Sequence, residues 1–185
     1  KIAEAGVRVP EPFGCYDGVL LMELITDEDG DVAPRLNDVE MPAEQAIEDH
    51  QIVMIYVMRM LCVGLVHGDL SEFNVLVDEY GPVIIDLPQA VDAAANNNAK
   101  AMLKRDVQNM TNYYSQFAPE LAKTHYAEEM WAQFESGDLH ADYELTGQFE
   151  HSTETANVGS VLDEIKAAFE EMQDREEAIA ASLED

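Results

Sequence analysis

Two aspartates and one asparagine are spaced along the chain in a way that suits phosphoryl transfer. Asp69 and Asn74 belong to the loop 67–74, His-Gly-Asp-Leu-Ser-Glu-Phe-Asn, and Asp86 directly follows an apolar run at 83–85. Phosphoryl transfer needs a carboxylate that orients the attacking hydroxyl, and it needs oxygen ligands that hold magnesium against nucleotide phosphates. The spacing lets the loop aim Asp69 at the acceptor while Asn74 turns back toward the metal.

A β-hairpin must bring these side chains together. The segment 78–82 consists of turn-forming residues and lies between two short apolar runs, which predicts a hairpin that places Asp86 beside Asn74. Any one of the three polar residues could instead be an ordinary turn or capping residue. The ordered set of loop, strand, turn, strand and aspartate favours the chemical interpretation. We expect His67 to be buried under the loop and hydrogen-bonded rather than to act as a base.

The first third of the chain contains a second hairpin pattern and a long helix pattern. Apolar runs on both sides of Asp17-Gly18 predict a hairpin at 13–25. Pro42 suits the first turn of a helix, and the pattern that follows predicts a helix to about Cys62, ended by Gly64.

Helical patterns return after the predicted site. Residues 99–117 and 119–134 are predicted helices, and 136–156 is expected to run irregularly over the surface. A last amphipathic helix is predicted from apolar residues near helical spacing, with docking on the rest of the chain as its expected role. These apolar residues are Val158, Leu162, Ile165, Phe169, Met172 and Ile179.

Composition and charge restrict the class of protein. Apolar residues make up 47% of the chain, which favours a globular domain over a disordered one. A net charge of −28, from 38 acidic and 10 basic residues, repels nucleic-acid phosphates and anionic lipid, so we expect neither direct nucleic-acid binding nor membrane association. Cys15 and Cys62 lack metal-ligand spacing, which predicts two small buried hydrophobes in a reducing, cytoplasmic environment.

Several of these motifs resemble the RIO family of atypical serine/threonine protein kinases. The specific parts are Ser-Glu-Phe-Asn at 71–74 and Asp-x-x-Gln at 86–89, within His-Gly-Asp-Leu and Ile-Ile-Asp contexts. Ala-Gly-Val-Arg-Val-Pro-Glu-Pro at 5–12 is similar to the family's entry into the strands before the hinge, and Leu-Met-Glu-Leu-Ile at 21–25 is similar to its hinge. The resemblance covers about residues 1–117.

The resemblance implies a fold and a division of the chain. The fold is α+β and protein-kinase-like, a mostly helical C-terminal lobe with short β-hairpins, and the N-terminal lobe is largely missing. Residues 1–25 would be the end of the small lobe and the hinge, 26–135 the large lobe, and 136–185 a surface linker and C-terminal amphipathic helix. Neither a Gly-rich phosphate loop nor a Val-x-Lys strand precedes the hinge in this sequence. We therefore expect this piece alone to be inactive.

The resemblance also implies a role for each site residue. Asp69 would be the catalytic aspartate, Asn74 and Asp86 would bind Mg²⁺ or Mn²⁺, and Asp86 could also accept the phosphate transiently, which makes it a second catalytic residue. The hinge would bind ATP through the backbone of Glu23 and Ile25, with Met22 behind the adenine; an ordinary buried strand is the alternative for this segment. Asp106 would anchor the catalytic loop from below, with a plain solvated helical aspartate as its alternative.

The substrate is the least defined part of this hypothesis. Leu87-Pro88 follows Asp86 in place of Phe-Gly, and no Ala-Pro-Glu segment follows, so a long activation segment is not expected. ATP hydrolysis coupled to a conformational cycle is therefore an alternative to protein phosphorylation. The resemblance implies an unidentified protein substrate with a link to ribosomal-subunit maturation.

Two other functions remain open from the sequence. Small-molecule phosphotransferases of the aminoglycoside kinase type share His-Gly-Asp-Leu, the spacing to Asn74 and a following Ile-Asp strand, but Ser71-Glu72-Phe73 and Gln89 match the RIO pattern better. A non-catalytic nucleotide-binding or partner-binding module is the third alternative, because the residues that would grip the phosphates are not in this sequence.

Overall fold

The computed structural model describes residues 1–149, and within them short antiparallel strand pairs alternate with α-helices. This arrangement confirms the predicted α+β class. The elements are β1 (Pro12–Tyr16), β2 (Val19–Met22), α1 (Ala43–Cys62), β3 (Leu65–Val66), β4 (Val75–Asp78), β5 (Gly81–Ile84), β6 (Val91–Asp92), α2 (Ala99–Tyr114) and α3 (Tyr126–Ser136). The sheets pair β1 with β2, β3 with β6, and β4 with β5. The amphipathic pattern at 158–179 lies outside the described residues.

The first predicted hairpin is confirmed, and its turn explains its register. Asp17 and Gly18 both have positive φ, 49° and 82°, which is the geometry of a two-residue turn that matches the twist of the flanking strands. Strand pairing ends at Met22, which is 44% exposed, and only Ile25 of the following segment is buried. The segment 22–25 is therefore not an ordinary buried strand.

The second predicted hairpin, β4–β5, is also confirmed. Val75 pairs with Ile84 at the base of the hairpin, and both side chains are fully buried. The extended residues before β1 lie along β5, where the Ile84 N–H donates to the Arg8 carbonyl at 2.9 Å. The Arg8 guanidinium forms two hydrogen bonds with the Asp78 carboxylate, at 2.8 and 2.5 Å. The segment that leads to the predicted hinge is thus tied to the hairpin that ends near Asp86.

Helix α1 forms the centre of the core. Its predicted bounds are confirmed within one residue, and Gly64 takes a left-handed φ of 79° where the chain leaves the helix. Its buried side chains pack against α2 and α3 in one hydrophobic cluster. His50 is 1% exposed and its Nε2 lies 3.0 Å from the Thr111 hydroxyl of α2. Burial lowers the pKa of His50 to about 4, so the ring is neutral in the folded protein at pH 7.

The predicted helix at 119–134 and the predicted burial of Cys15 were wrong, and one strand pair was not predicted. The segment 119–134 is a 3₁₀ turn followed by α3, because Thr124 is extended and the His125 N–H donates to the Gly147 carbonyl instead of continuing a helix. Cys15 is exposed on β1 rather than buried. The pair β3–β6 has two residues in each strand, too short for a sequence pattern.

Within residues 1–149, no helix combines the length and the apolarity that a membrane crossing requires.

Candidate active site

The loop that carries Asp69 is held from below by a buried carboxylate. Asp106 on α2 is 1% exposed, and its two oxygens accept hydrogen bonds from the N–H groups of Gly68 at 2.7 Å and Leu70 at 3.1 Å. Burial raises the pKa of Asp106, and the two amide hydrogen bonds oppose that shift. Because the bonds lie on either side of Asp69, they fix the backbone from which its carboxylate projects. The structure thus favours the loop anchor over the solvated aspartate at this position.

The same helix holds the carbonyl groups of the loop. Arg105 donates to the Gly68 carbonyl, and Asn109 donates to the Leu70 carbonyl at 3.0 Å. Gly68 has a φ of +85°, and a Cβ there would lie 2.9 Å from the Met102 methyl group. The left-handed φ strains any residue with a side chain, and its Cβ would also lie 3.1 Å from the Gln89 carbonyl oxygen, so glycine is the favoured residue at this position.

His67 lies inside the loop, as expected. Its side chain is 2% exposed; Nδ1 is 3.3 Å from the Asp69 N–H, which donates to it, and Nε2 is 3.0 Å from the Ile85 carbonyl. A neutral ring with its proton on Nε2 satisfies both contacts. Both ring nitrogens are therefore occupied by backbone groups, which suits a structural residue that joins the Asp69 loop to the residue before Asp86.

The hairpin brings Asn74 and Asp86 together. The Ile85 N–H donates to the Asn74 carbonyl at 3.0 Å, so the residues at the two open ends of β4–β5 are neighbours. The Asn74 amide donates to the Asp69 carbonyl at 2.8 Å and ties the two ends of the loop to each other. Asp86 is exposed and has a left-handed backbone with φ 64° and ψ 53°, an uncommon conformation for a residue with a side chain.

One cleft of about 880 Å³ includes most of the predicted site residues. Its lining contains the predicted hinge residues and the predicted metal ligands, namely Met22, Glu23, Ile25, Asn74 and Asp86. Asp69 is exposed beside this cleft, on the loop that Asn74 closes. The volume lies in the range of small-molecule sites, and most of the lining is apolar. The structure therefore brings the predicted hinge residues and the predicted metal ligands to one cavity, although they are far apart in the sequence.

The backbone of the predicted hinge, residues 21–25, presents two free polar groups. The Glu23 N–H donates to the Glu11 carbonyl at 2.8 Å, and the Ile25 carbonyl accepts from the Ala33 N–H at 3.0 Å. The Glu23 carbonyl and the Ile25 N–H have no hydrogen-bond partner within residues 1–149. An acceptor and a donor two residues apart on an extended backbone can pair with one polar edge of a planar heterocycle.

The donor set of Asn74 and Asp86 fits a hard divalent cation. A carboxylate and an amide oxygen are ligands that Mg²⁺ prefers, and Mg²⁺ usually completes its shell with water and substrate phosphates. No group of three or more histidine, cysteine, aspartate or glutamate side chains in the part of the chain that the structure describes could hold a metal by itself. The fit thus depends on phosphate oxygens as the remaining ligands.

Leu76 and Arg35 are among the lining residues that were not predicted as site residues. Leu76 lies on β4, two residues after Asn74, and contributes apolar surface to the cleft. Arg35 lines the cleft because an isolated β-bridge pairs its backbone with Leu76. No local pattern around Arg35 indicates this long-range bridge, so the sequence offered no signal for it.

Comparison of the sequence with known proteins identifies the family of this chain. The model of the RIO domain matches residues 1–128. The chain is 42% identical over 114 residues to the RIO-type serine/threonine-protein kinase Rio1 of Haloferax volcanii, covering 62% of this chain and 38% of that protein. It is 36% identical over 113 residues to Rio2 of Methanocaldococcus jannaschii, covering 60% and 40%, and 35% identical over 119 residues to Rio1 of Thermoplasma acidophilum, covering 64% and 60%. The matches thus span 38% to 60% of the length of these relatives.

Proposed function

We propose that this chain, which belongs to the RIO domain family, carries the catalytic loop and the metal-binding hairpin of an ATP-dependent serine/threonine phosphotransferase. The observation that supports this most is the cleft, where the free hinge groups, Asn74 and Asp86 line one cavity beside the anchored Asp69 loop. The names of the relatives agree with this activity and favour it over a small-molecule phosphotransferase.

The adenine of ATP is proposed to bind at the hinge. Its amino group would donate to the Glu23 carbonyl, and a ring nitrogen would accept from the Ile25 N–H, the two groups that have no protein partner within residues 1–149. Met22 and Leu76 supply apolar surface to the same cleft. This arrangement would orient the phosphates toward Asn74 and Asp86.

Asp69 is proposed to orient the attacking group. Its carboxylate would accept the proton of a serine or threonine hydroxyl as that oxygen bonds to the γ-phosphorus and the bond to the ADP oxygen breaks. Asn74 and Asp86 would hold Mg²⁺, which when bound neutralises charge on the phosphates. The Asp106 anchor would keep Asp69 in position during transfer, without itself contacting the substrate.

Asp86 is proposed as a second catalytic group. Its exposed carboxylate could attack the γ-phosphorus in place of the hydroxyl, so that an aspartyl phosphate forms and ADP leaves. Water would then release phosphate and restore the carboxylate, which is net ATP hydrolysis. A protein substrate and a cytoplasmic location stay predictions, as does a ribosome-associated partner.

A binding and turnover experiment tests this function. ATP binding would be measured by calorimetry with and without Mg²⁺, and transfer or release of radiolabelled phosphate would be followed in the same preparation. Both measurements use the full-length protein, because this piece alone is expected to be inactive. Asp86→Asn should abolish the Mg²⁺ dependence of ATP binding and lower turnover at least about 100-fold, and Asp69→Asn should lower turnover while ATP still binds.

Asp138→Asn is the matched control, because Asp138 is exposed, follows α3 and loses the same charge. It should behave as the wild type. Wild-type turnover in a clean Asp86→Asn preparation would contradict the proposed function. ATP binding without turnover in the wild type would favour a non-catalytic nucleotide-binding module.

A further inference from the structure

Arg35 has a rigid backbone at the edge of the cleft. Its carbonyl accepts from the Asp38 N–H at 2.9 Å, and its backbone pairs with Leu76 of β4. The adjacent Pro34 carbonyl accepts from the Val77 N–H at 3.0 Å, and the side chain of Leu36 is fully buried. Arg35 is therefore a lining residue of the cleft whose backbone is held by hydrogen bonds, and its side chain is exposed.

Arg35 differs from the other arginines of residues 1–149 in having no partner there. Arg8 binds Asp78, Arg59 donates to the Gly6 carbonyl, and Arg105 donates to the Gly68 carbonyl. No hydrogen bond or ion pair within the described residues uses the Arg35 guanidinium. Five donors in a fixed planar fork are thus available to a ligand.

The unpaired guanidinium of Arg35 makes an anionic ligand its natural partner. The net charge of the chain is −28, and acidic residues exceed basic ones by 38 to 10, yet this arginine has no carboxylate partner in residues 1–149. The other charged lining residues are Lys1, Glu23 and Asp86. The backbone of Arg35 pairs with Leu76, and both residues line the same cleft as the proposed metal ligands Asn74 and Asp86.

We propose that Arg35 binds a phosphate oxygen of the nucleotide in this cleft, an inference that rests on the proposed function. A guanidinium suits a phosphate because two of its N–H groups can donate to two oxygens in parallel. The contribution would be to nucleotide affinity, and it would depend on the phosphates rather than on the base. Arg35 would thus supply a positive charge to a cleft in which Asn74 and Asp86 supply only oxygen atoms.

Calorimetric titrations with ATP, ADP, adenosine and inorganic phosphate, all with Mg²⁺, test this proposal. For Arg35→Gln, the affinity for ATP and for ADP should fall at least about fivefold, while the affinity for adenosine stays unchanged. Arg35→Lys keeps the charge and should lose less. Lys123→Gln is the matched control, because it removes one positive charge at an exposed position outside the cleft lining.

Each other outcome overturns the proposal. Unchanged ATP affinity in Arg35→Gln, with Mg²⁺-dependent binding by the wild type, would refute the role of Arg35 and leave the proposed function intact. An equal loss for adenosine would mean that Arg35 contacts the nucleoside or maintains the cleft. If Arg35→Gln loses affinity for inorganic phosphate only, the guanidinium binds free phosphate rather than the nucleotide. No nucleotide binding by the wild type would overturn both this inference and the proposed function.

Discussion

Removing the carboxylate of Asp106 should impair both the stability of the protein and the position of Asp69. In Asp106→Ala, the N–H groups of Gly68 and Leu70 lose their acceptors at 2.7 and 3.1 Å. Both bonds are buried under the loop, where water cannot readily replace the lost carboxylate. The loop would therefore lose its anchor on both sides of the proposed catalytic residue.

The magnitude follows from two opposing effects. Hydrogen bonds to a charged group contribute about 1.5–3 kcal/mol each, so two of them amount to about 3–6 kcal/mol. Burial raises the pKa of Asp106, which shows that desolvation of the carboxylate offsets part of that gain. We expect the free energy of unfolding to fall by about 2–4 kcal/mol in Asp106→Ala. Asp106→Asn keeps one acceptor oxygen and should lose about half as much.

The assay must separate lost stability from lost positioning. Urea unfolding gives the stability, and below the unfolding transition the affinity for ATP and the phosphate turnover are measured on folded protein. Turnover should fall about 100-fold because a misplaced carboxylate no longer orients the acceptor. ATP affinity should change less than about twofold, since the hydrogen bonds of Asp106 within residues 1–149 go to the loop and not to the predicted hinge. Asp138→Asn again serves as the control.

Two results would refute this reasoning. If the free energy of unfolding and the turnover of Asp106→Ala equal those of the wild type, the loop does not depend on its anchor. A parallel loss of ATP affinity and turnover would mean that Asp106 supports the whole lobe rather than the position of Asp69.

Two further predictions concern ionisable groups outside the cleft. Arg8 is one-third exposed and Asp78 is 7% exposed, so a double-mutant cycle of Arg8→Ala and Asp78→Ala should give a coupling of about 1 kcal/mol at pH 7. The hydrogen bonds that Arg8 donates to Asp78 lower the pKa of that carboxyl, so the coupling is present above pH 3.8 and should be lost as the pH falls through the lowered pKa. A coupling that stays unchanged down to the lowest pH at which the protein remains folded would contradict this prediction. The pKa of His50 falls from 6.5 to about 4 on folding, so its neutral form contributes stability that is present above pH 6.5 and is lost as the pH falls toward 4. Between pH 6.5 and pH 4, the free energy of unfolding measured in urea should fall by about 3 kcal/mol more for the wild type than for His50→Gln. An equal dependence of this free energy on pH in the two proteins would refute the prediction.

Local patterns account for the parts of the fold that were predicted. The hairpin around Asp17-Gly18 and the helix Ala43–Cys62 depend on turn geometry and on hydrogen bonds between residues near in sequence. The boundary at Thr124 was missed because a distant partner competes there. Glu129 accepts hydrogen bonds from the N–H groups of Thr146 and Gly147. The Gly147 carbonyl accepts from the His125 N–H, so this distant segment replaces the continuation of a helix.

The candidate site shows the same division between local and distant causes. The sequence by itself determined the types and spacing of Asp69, Asn74 and Asp86, because a loop followed by a hairpin brings these residues together through local bonds. Only the tertiary structure decided that Asp106 holds the loop and that Arg35 lines the cleft. Both depend on contacts between distant segments, and such contacts are set by the packing of the whole core rather than by any periodicity near the residue.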